Sequence, residues 1–592
     1  IVSKTTYKIF TMKKSSYISV GCLLTALGMS VIISCSKSFL SKEPKGVAFL
    51  ELLDPEDILT GAYAALSGAS STTDQAMSGA ASVRNWVWDC ASDDAYKGTT
   101  QGDTQPVEEI ELYKADATNQ FINGKWFVSY DGIARANDVL KSLANKRASM
   151  DATQATVIEA QAKFIRAWWH FRLLQVFWQV PYITESVVPS EVKNDRPIWD
   201  DIEADFKFAV DNLPESYTGE PGRATKWAAM AYMAYAHMFQ KEYDKAKPLL
   251  DAVINSGRFD LVANFKDNYS PLTENNIESI FEIQSSVNNG TDRPRNGNAD
   301  SWVTLPLNRF VPTCCNVYQP SQDIVNAFKV DVNGLPLLGI NGPKFNETNL
   351  KNDMGLTPTD EFIPSDEPVD PRLDWTVGRR GIPYMDWGVY SGSDWVRQQV
   401  YGGPYNSVKQ MFYKKDQAIA SHSSFARSTS INYRALRFAH VLLWRAECAV
   451  EEEDLETAKT LINRVRRRAS DDLVMGKVTT YIFDGRPIEV DMTKPAANYK
   501  LGEYTSFPSQ EYGRAALRME LRLETALEGN RFFDLVRWGI DNQVLNEFIV
   551  NESQFRTLMQ GITYDPQKND KWPIPQTQLD LQPGILQQDP AY

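Results

Sequence analysis

Apolar residues recur three and four positions apart over most of this chain, and the runs stop at prolines and glycines. Such spacing marks amphipathic helices, whose buried stripe returns about every 3.6 residues. Ile198, Ile202, Phe206, Ala209, Val210 and Leu213 keep the period up to Pro214, and an apolar-rich helix from Phe164 to Trp178 stops short of Pro181. Asp54-Pro55-Glu56 opens another. There Asp supplies an N-cap oxygen, Pro suits the first helical position, and an acid sits in the first turn.

Two stretches share one pattern. Met230, Met233, Ala234 and His237 precede Tyr243, Ala246, Leu250 and Val253; Leu442, Arg445, Ala446 and Ala449 precede Leu455, Ala458, Ile462 and Val465. The offsets are identical and match the helix–turn–helix period of a tetratricopeptide repeat. Ala234 and Ala446, with Ala246 and Ala458 on the second helices, sit where paired helices cross closely. One pair cannot bury its apolar face alone, so both are expected to pack on helices near 119–148, 154–179 and 510–538. The predicted fold is mostly α: tetratricopeptide-like helix pairs, at about 119–258 and 434–538, forming a helical scaffold.

Between about 260 and 430 the texture changes, with Gly, Asn, Pro, Arg and aromatic residues clustered as in Asn288-Asn289-Gly290 and Tyr401-Gly402-Gly403-Pro404. An irregular insert of this length is usually functional. Short strands are expected at 278–284 and 371–377, and a short helix at 321–329. Asp331-Val332-Asn333-Gly334 carries part of a calcium-loop pattern without its remaining ligands and reads as a turn.

The first residues bear on location. Met12-Lys13-Lys14, an uncharged and largely apolar run from Tyr17 to Ile33, and Ser34-Cys35 make an export signal whose cleavage point precedes a cysteine. Residues 1–34 then form a signal peptide, with 1–11 an upstream extension, and 35–592 a single mature domain bearing acyl chains on Cys35. A transmembrane anchor is the alternative. Removing residues 1–34 removes four lysines and no acids, taking the formal charge from −13 to −17. That balance argues against nucleic acid as a partner. Cys90, Cys314, Cys315 and Cys448 fit neither a zinc site nor a dense disulfide framework; a bridge and small buried hydrophobes both remain open for them.

Along nearly the whole chain after Cys35 the residues resemble one family, the SusD/RagB outer-membrane nutrient-uptake lipoproteins. The lipid-bearing Cys followed by a Phe-Leu pair looks like Cys35 to Leu40. "WFVSYDGIARANDVL", "AKFIRAWWHFRLLQVFWQVPYITE" and "GRATKWAAMAYMAYAHMFQKEYDKAKPLLDAVINSGRFDL" are similar to its early helices and first repeats. "LRFAHVLLWRAECAVEEEDLETAKTLINRVRRRA" resembles a later repeat, and "ELRLETALEGNRFFDLVRWG" is the most specific stretch. "WPIPQTQLDLQPGILQQDPAY" looks like the family's end, with Asp589 and Ala591 where the family usually carries Asn and Gly.

The resemblance implies a cell-surface protein, lipid-anchored to the outer membrane. It would bind an oligosaccharide without covalent chemistry and pass it to a TonB-dependent transporter, for which it acts as a lid. The helical face would dock the transporter and the irregular half would hold the ligand. No catalytic residue, metal or cofactor is expected, calcium being left unsupported. No HExxH, GxSxG, Walker loop or GxGxxG after a strand appears, and His170, His237 and His440 fall inside apolar helical runs. Glu520, Arg522, Glu524, Glu528, Arg531, Asp534 and Arg537 read as ion pairs on the surface or across a turn. Two readings compete: an exported glycan-active hydrolase, which needs only two of 75 acids, and a pure protein-docking scaffold.

A pyranose presents apolar C–H faces and a belt of hydroxyls, so its site needs flat aromatic platforms beside polar groups. Trp and Tyr supply that area with few torsions to freeze. The insert offers Trp302, Tyr318, Trp387, Trp395 and Tyr401, interleaved with Asp292, Arg293, Arg295 and Arg309. Trp86, before Asp93-Asp94, joins them from the N-terminal loops. Trp302, flanked by polar and Gly-Asn sequence, is the leading candidate, whereas Trp168, Trp169, Trp178, Trp227 and Trp444 read as core.

Overall fold

The computed structural model describes residues 53–68, 83–290, 296–298, 301–306, 313–423, 425–479, 481–485 and 488–592, without the side chains of 425–427. The expected signal and Cys35 lie outside them. Among the described residues no helix is long and apolar enough to cross a membrane.

Helix α1 (Pro55–Ala65) begins as predicted, with the Glu56 amide donating to Asp54 at 2.9 Å and Pro55 in the first turn. Next come α2 (Gln120–Lys146), capped by Asn119, and α3 (Ala152–Phe177), capped by Asp151. They are followed by α4 (Trp199–Asn212), α5 (Lys226–Phe239) and α6 (Tyr243–Asn255). After the insert the chain returns as α7 (Phe438–Glu451), α8 (Leu455–Arg468), α9 (Gln510–Thr525), α10 (Arg531–Trp538) and α11 (Asp541–Glu552).

Each helix from α1 to α6 packs on the next of the series: α1 on α2, α2 on α3, and so on. Helix α6 then packs directly on α7, which pairs with α8, and both meet α9. The two repeats far apart in sequence are therefore neighbours in space, and the helical layer continues across the break in the chain. Ala234, Ala246, Ala446 and Ala458 are all fully buried, as close helix crossings require.

The insert is less irregular than its composition suggests. Strand β2 (Ser279–Ile283) pairs antiparallel with β4 (Tyr433–Arg437), so the insert's two ends are clamped together; β1 (Ala95–Gly98) pairs likewise with β3 (Val317–Pro320). The expected helix forms at Gln322–Ala327, with Ser321 accepting from the Ile324 amide. The strand expected at 371–377 does not form: Arg372–Thr376 is a helical turn and only Val377–Gly378 is extended. The cause is local, since Asp370 accepts from the Arg372 amide at 3.0 Å and Pro371 starts the turn. Asp331 accepts from the amides of Asn333 and Leu335 at 2.8 and 2.9 Å, closing a turn that Gly334 completes at φ +79°. Cys314 and Cys315 are joined by a disulfide, while Cys90 and Cys448 are buried free thiols.

The charges of the α9–α10 unit are not surface pairs. Glu520, Arg522 and Glu524 are buried, and their partners come from distant segments. Arg372 reaches Glu520 at 2.7 Å and Glu524 at 3.1 Å; Arg437 reaches Glu524 at 2.9 Å, Glu528 at 2.8 Å and Glu278 at 2.7 Å. Arg466 pairs with Glu520, Arg468 with Glu524, and Arg522 with Asp94 and Asp323, both at 2.8 Å. This network joins the helical layer to the insert and to the loop after Trp86.

Candidate ligand-binding face

The structure does not bring the predicted aromatic residues together. Trp86 and Tyr318 are 1% exposed, with ring centroids 5.7 Å apart, and the Tyr318 hydroxyl donates to Asp89 at 2.6 Å. Trp395 is equally buried between Tyr384 and Tyr390, its indole N–H donating to Ser391 Oγ at 3.0 Å. Trp387 is buried and donates to the Phe412 carbonyl at 2.8 Å. Trp387 and Trp395 pack a core of the insert's own, built with Met411, Phe412 and Ile431, while Trp86 and Tyr318 fill the main core. Arg309 lies outside the described residues, as do Asp292, Arg293 and Arg295.

Two candidates keep accessible surface. Tyr401 is half-buried beside β1, with the Lys97 ammonium 5.7 Å from its ring centroid. Trp302 is half-buried on the short helix Ser301–Thr304 and packs one side on the main core. Trp178, expected in the core, is 45% exposed instead. It caps α3 at φ +60°, which turns the ring out of the helix's buried face.

An open cleft of about 490 Å³ lies between the end of α1, the turn at 220–223 and the residues that follow β2. That volume falls in the range of roughly 300–1,000 Å³ typical of ligand pockets. Thr60, Tyr63, Arg223, Gln284, Ser285, Ser286 and Asn296 line it. Gly222 matters because a Cβ there would stand 2.6 Å from Gln284 Cγ, so only glycine lets that side chain lie across the turn. Tyr63 is fixed by donating to Gln161 and accepting from the Ala224 amide, both at 2.9 Å. Asn432 organises the opposite wall: it donates to Glu282 and Gln284 at 3.0 Å and accepts from the Ser285 amide at 2.7 Å.

The cleft wall continues into the segment that carries Trp302. Ser286 donates to the Asn296 carbonyl at 2.7 Å. Asn298 is then stapled to Thr429 and Ile431 at 2.7 and 3.0 Å, and Ser301 accepts from the Thr429 amide at 3.2 Å. Half-buried Trp302 thus stands six residues along the chain from Asn296 of the cleft. The cleft lining adds to Arg223 and Glu282 the hydroxyls of Thr60, Ser285 and Ser286 and the amides of Gln284 and Asn296, groups that donate and accept as sugar hydroxyls do.

The cleft's buried carboxylate, Glu282, is held by Arg434 at 3.2 Å and by the Asn275 amide at 3.0 Å. Nearby Glu274, which accepts from the Asn432 amide, is pushed up to about 7 by its burial. Sequence reasoning missed this wall. Its signal is the polar run Gln284-Ser285-Ser286 directly after an apolar strand, which any loop also shows.

Two family models match the chain: residues 277–592 fit the SusD family, and residues 39–237 fit a family described as starch-binding associating with outer membrane. A SusD-like protein, P25, from Formosa agariphila is 24% identical over 492 residues, covering 79% of each chain. Among solved structures, a SusD superfamily protein from Bacteroides vulgatus superposes with a TM-score of 0.66 at 21% identity, covering 92% of this chain and 100% of that one. Surface glycan-binding protein A from Bacteroides thetaiotaomicron, solved in complex with laminarihexaose, gives a TM-score of 0.66 at 19% identity, with 91% and 99% covered. These structures share its fold, and the family match spans more than half of its residues: the chain belongs to the SusD family.

Proposed function

We propose that this chain is a non-catalytic oligosaccharide-binding lipoprotein of the outer membrane, anchored through Cys35 and facing the cell exterior. It delivers its cargo to a TonB-dependent transporter. The observation that carries the reading is the family match over 277–592, the half that holds the insert and most of the fold's ion network. The open cleft of about 490 Å³ supports it, its lining offering the hydroxyls of Thr60, Ser285 and Ser286 and the amides of Gln284 and Asn296. Both carboxylates that line the cleft are ion-paired, Glu282 with Arg434 and Glu220 with Arg223. That fits binding better than hydrolysis, where a glycosidase needs a pair of carboxyl groups acting on one bond.

A lid must stay attached while it moves, which favours a large interface over a transient encounter. Purification from membranes in mild detergent is therefore expected to bring down a β-barrel of the TonB-dependent type with this chain. Cys35→Ala is expected to release the chain from the membrane fraction, since its anchoring rests on acyl chains there. Recovery of monomer alone, under conditions that preserve other outer-membrane complexes, contradicts the delivery role. A Cys35→Ala chain that still pellets with membranes contradicts the anchor.

A further inference from the structure

Helices α4 and α5 and the turn after α5 bring together Glu203, His237 and Glu242, one imidazole and two carboxylates. His237 Nδ1 stands 2.8 Å from Glu242 Oε2 and 3.7 Å from Glu203 Oε1. Among the described residues no other three metal-ligating side chains bring their donor atoms so close.

The three groups are held from behind. His237 is 3% exposed, its ring fixed by packing. Gln240 donates to Glu203 Oε1 at 2.8 Å and Lys245 to Glu242 Oε1 at 2.7 Å, so each carboxylate has a partner that sets its orientation. The turn between His237 and Glu242 is closed by the Glu242 amide on the His237 carbonyl at 2.9 Å. On the open side the carboxylate side chains are 19% and 30% exposed, leaving room for water.

We propose that Glu203, His237 and Glu242 form a binding site for a divalent transition metal, zinc first. An imidazole with two carboxylates suits zinc, whereas magnesium and calcium prefer oxygen alone. Zinc bonds of about 2.0–2.1 Å in a tetrahedral site set donor atoms about 3.3 Å apart. The three donor atoms already lie within 4.8 Å of one another; Glu203 has to close on the imidazole from 3.7 Å and Glu242 to open from 2.8 Å, small movements that two partly exposed carboxylate side chains can supply. The metal would take the place of the Nδ1 proton, with the ring proton on Nε2 and water completing the fourth position. It would tie together α4, α5 and the start of α6. Binding is independent of the glycan reading, since the three residues do not line the cleft.

The test is calorimetric titration of the chelator-treated full chain, in detergent, with zinc alone and with magnesium as a comparison. The expected result is one equivalent of zinc bound with a Kd on the order of micromolar, and no magnesium heat. Glu203→Gln and Glu242→Gln are each expected to weaken binding at least tenfold while preserving shape, and His237→Asn to abolish it. Should His237→Asn not fold, the two glutamine variants decide. Absence of saturable zinc binding below about 0.1 mM, or equal affinity in the glutamine variants and the unaltered chain, overturns the proposal.

Discussion

Glu524→Gln is expected to destabilise the protein by about 3–5 kcal/mol, the cost of breaking a buried ion pair by removing one partner. Glu524 is fully buried and serves Arg372, Arg437 and Arg468 together. Glutamine keeps the shape and removes the charge, leaving three guanidinium groups short of an anion where water cannot replace it. Burial by itself would raise this carboxyl, but Arg468, Arg437 and Arg372 outweigh it and hold it down from 4.5 to about 2. A folded value below the unfolded one means that the stabilisation is present above about 4.5. It is lost as pH falls through about 2. Urea unfolding followed by far-UV circular dichroism checks both statements: the midpoint should fall strongly in Glu524→Gln at neutral pH, and in the unaltered chain it should fall steeply over that acid window. Glu503→Gln, which removes a surface partner of Arg467, should change stability by less than about 1 kcal/mol. Equal small shifts in the two variants would show that the network does not hold insert to scaffold.

Trp302→Ala is expected to weaken oligosaccharide binding at least tenfold, about 1.4 kcal/mol. The ring is half-buried, with one side packed on the main core, so its remaining surface is rigid and needs little ordering when a pyranose face stacks on it. Gln284→Ala should weaken binding less, because it removes hydrogen-bonding capacity from the cleft wall but leaves the platform. Trp395→Ala is the informative contrast. That ring lies inside the insert's own core, so truncation should cost about 3–5 kcal/mol of stability, while binding survives in the fraction that stays folded. Calorimetric affinities beside melting curves for the three variants separate a platform from a packing residue. Unchanged affinity in both Trp302→Ala and Gln284→Ala would remove this face as the site.

The helical half was legible because its signal is periodic and redundant. Ala234, Ala246, Ala446 and Ala458 at matching offsets could mean little besides close helix crossings, and all four are buried. Direct packing of α6 on α7 was not legible, since periodicity says nothing about which helix comes next in space. The insert misled for a physical reason. Trp387 and Trp395 stand among Gly, Asn and Pro, where aromatic residues suggest a surface, yet an insert of this size needs rings to fill a core of its own, and Tyr318 is drawn into the main core against Trp86. Trp178 misled in the opposite direction: its apolar helix predicts burial, and a positive φ at the helix end turns it outward. Glu520, Glu524 and Glu528 recur every four residues, which reads as a solvated face until Arg372 and Arg437 arrive from far along the chain. Small polar residues such as Gln284, Ser285 and Asn296 carry no distinctive pattern, so the cleft itself was invisible.

The central claim, binding of a glycan without chemistry, is tested most directly by titrating the full chain, held in a detergent without sugar groups, with oligosaccharides selected on a glycan array. The account predicts saturable binding with a Kd on the order of micromolar to millimolar, and recovery of the oligosaccharide at its original length after prolonged incubation. Failure to bind any glycan, or recovery of shortened products, would contradict it.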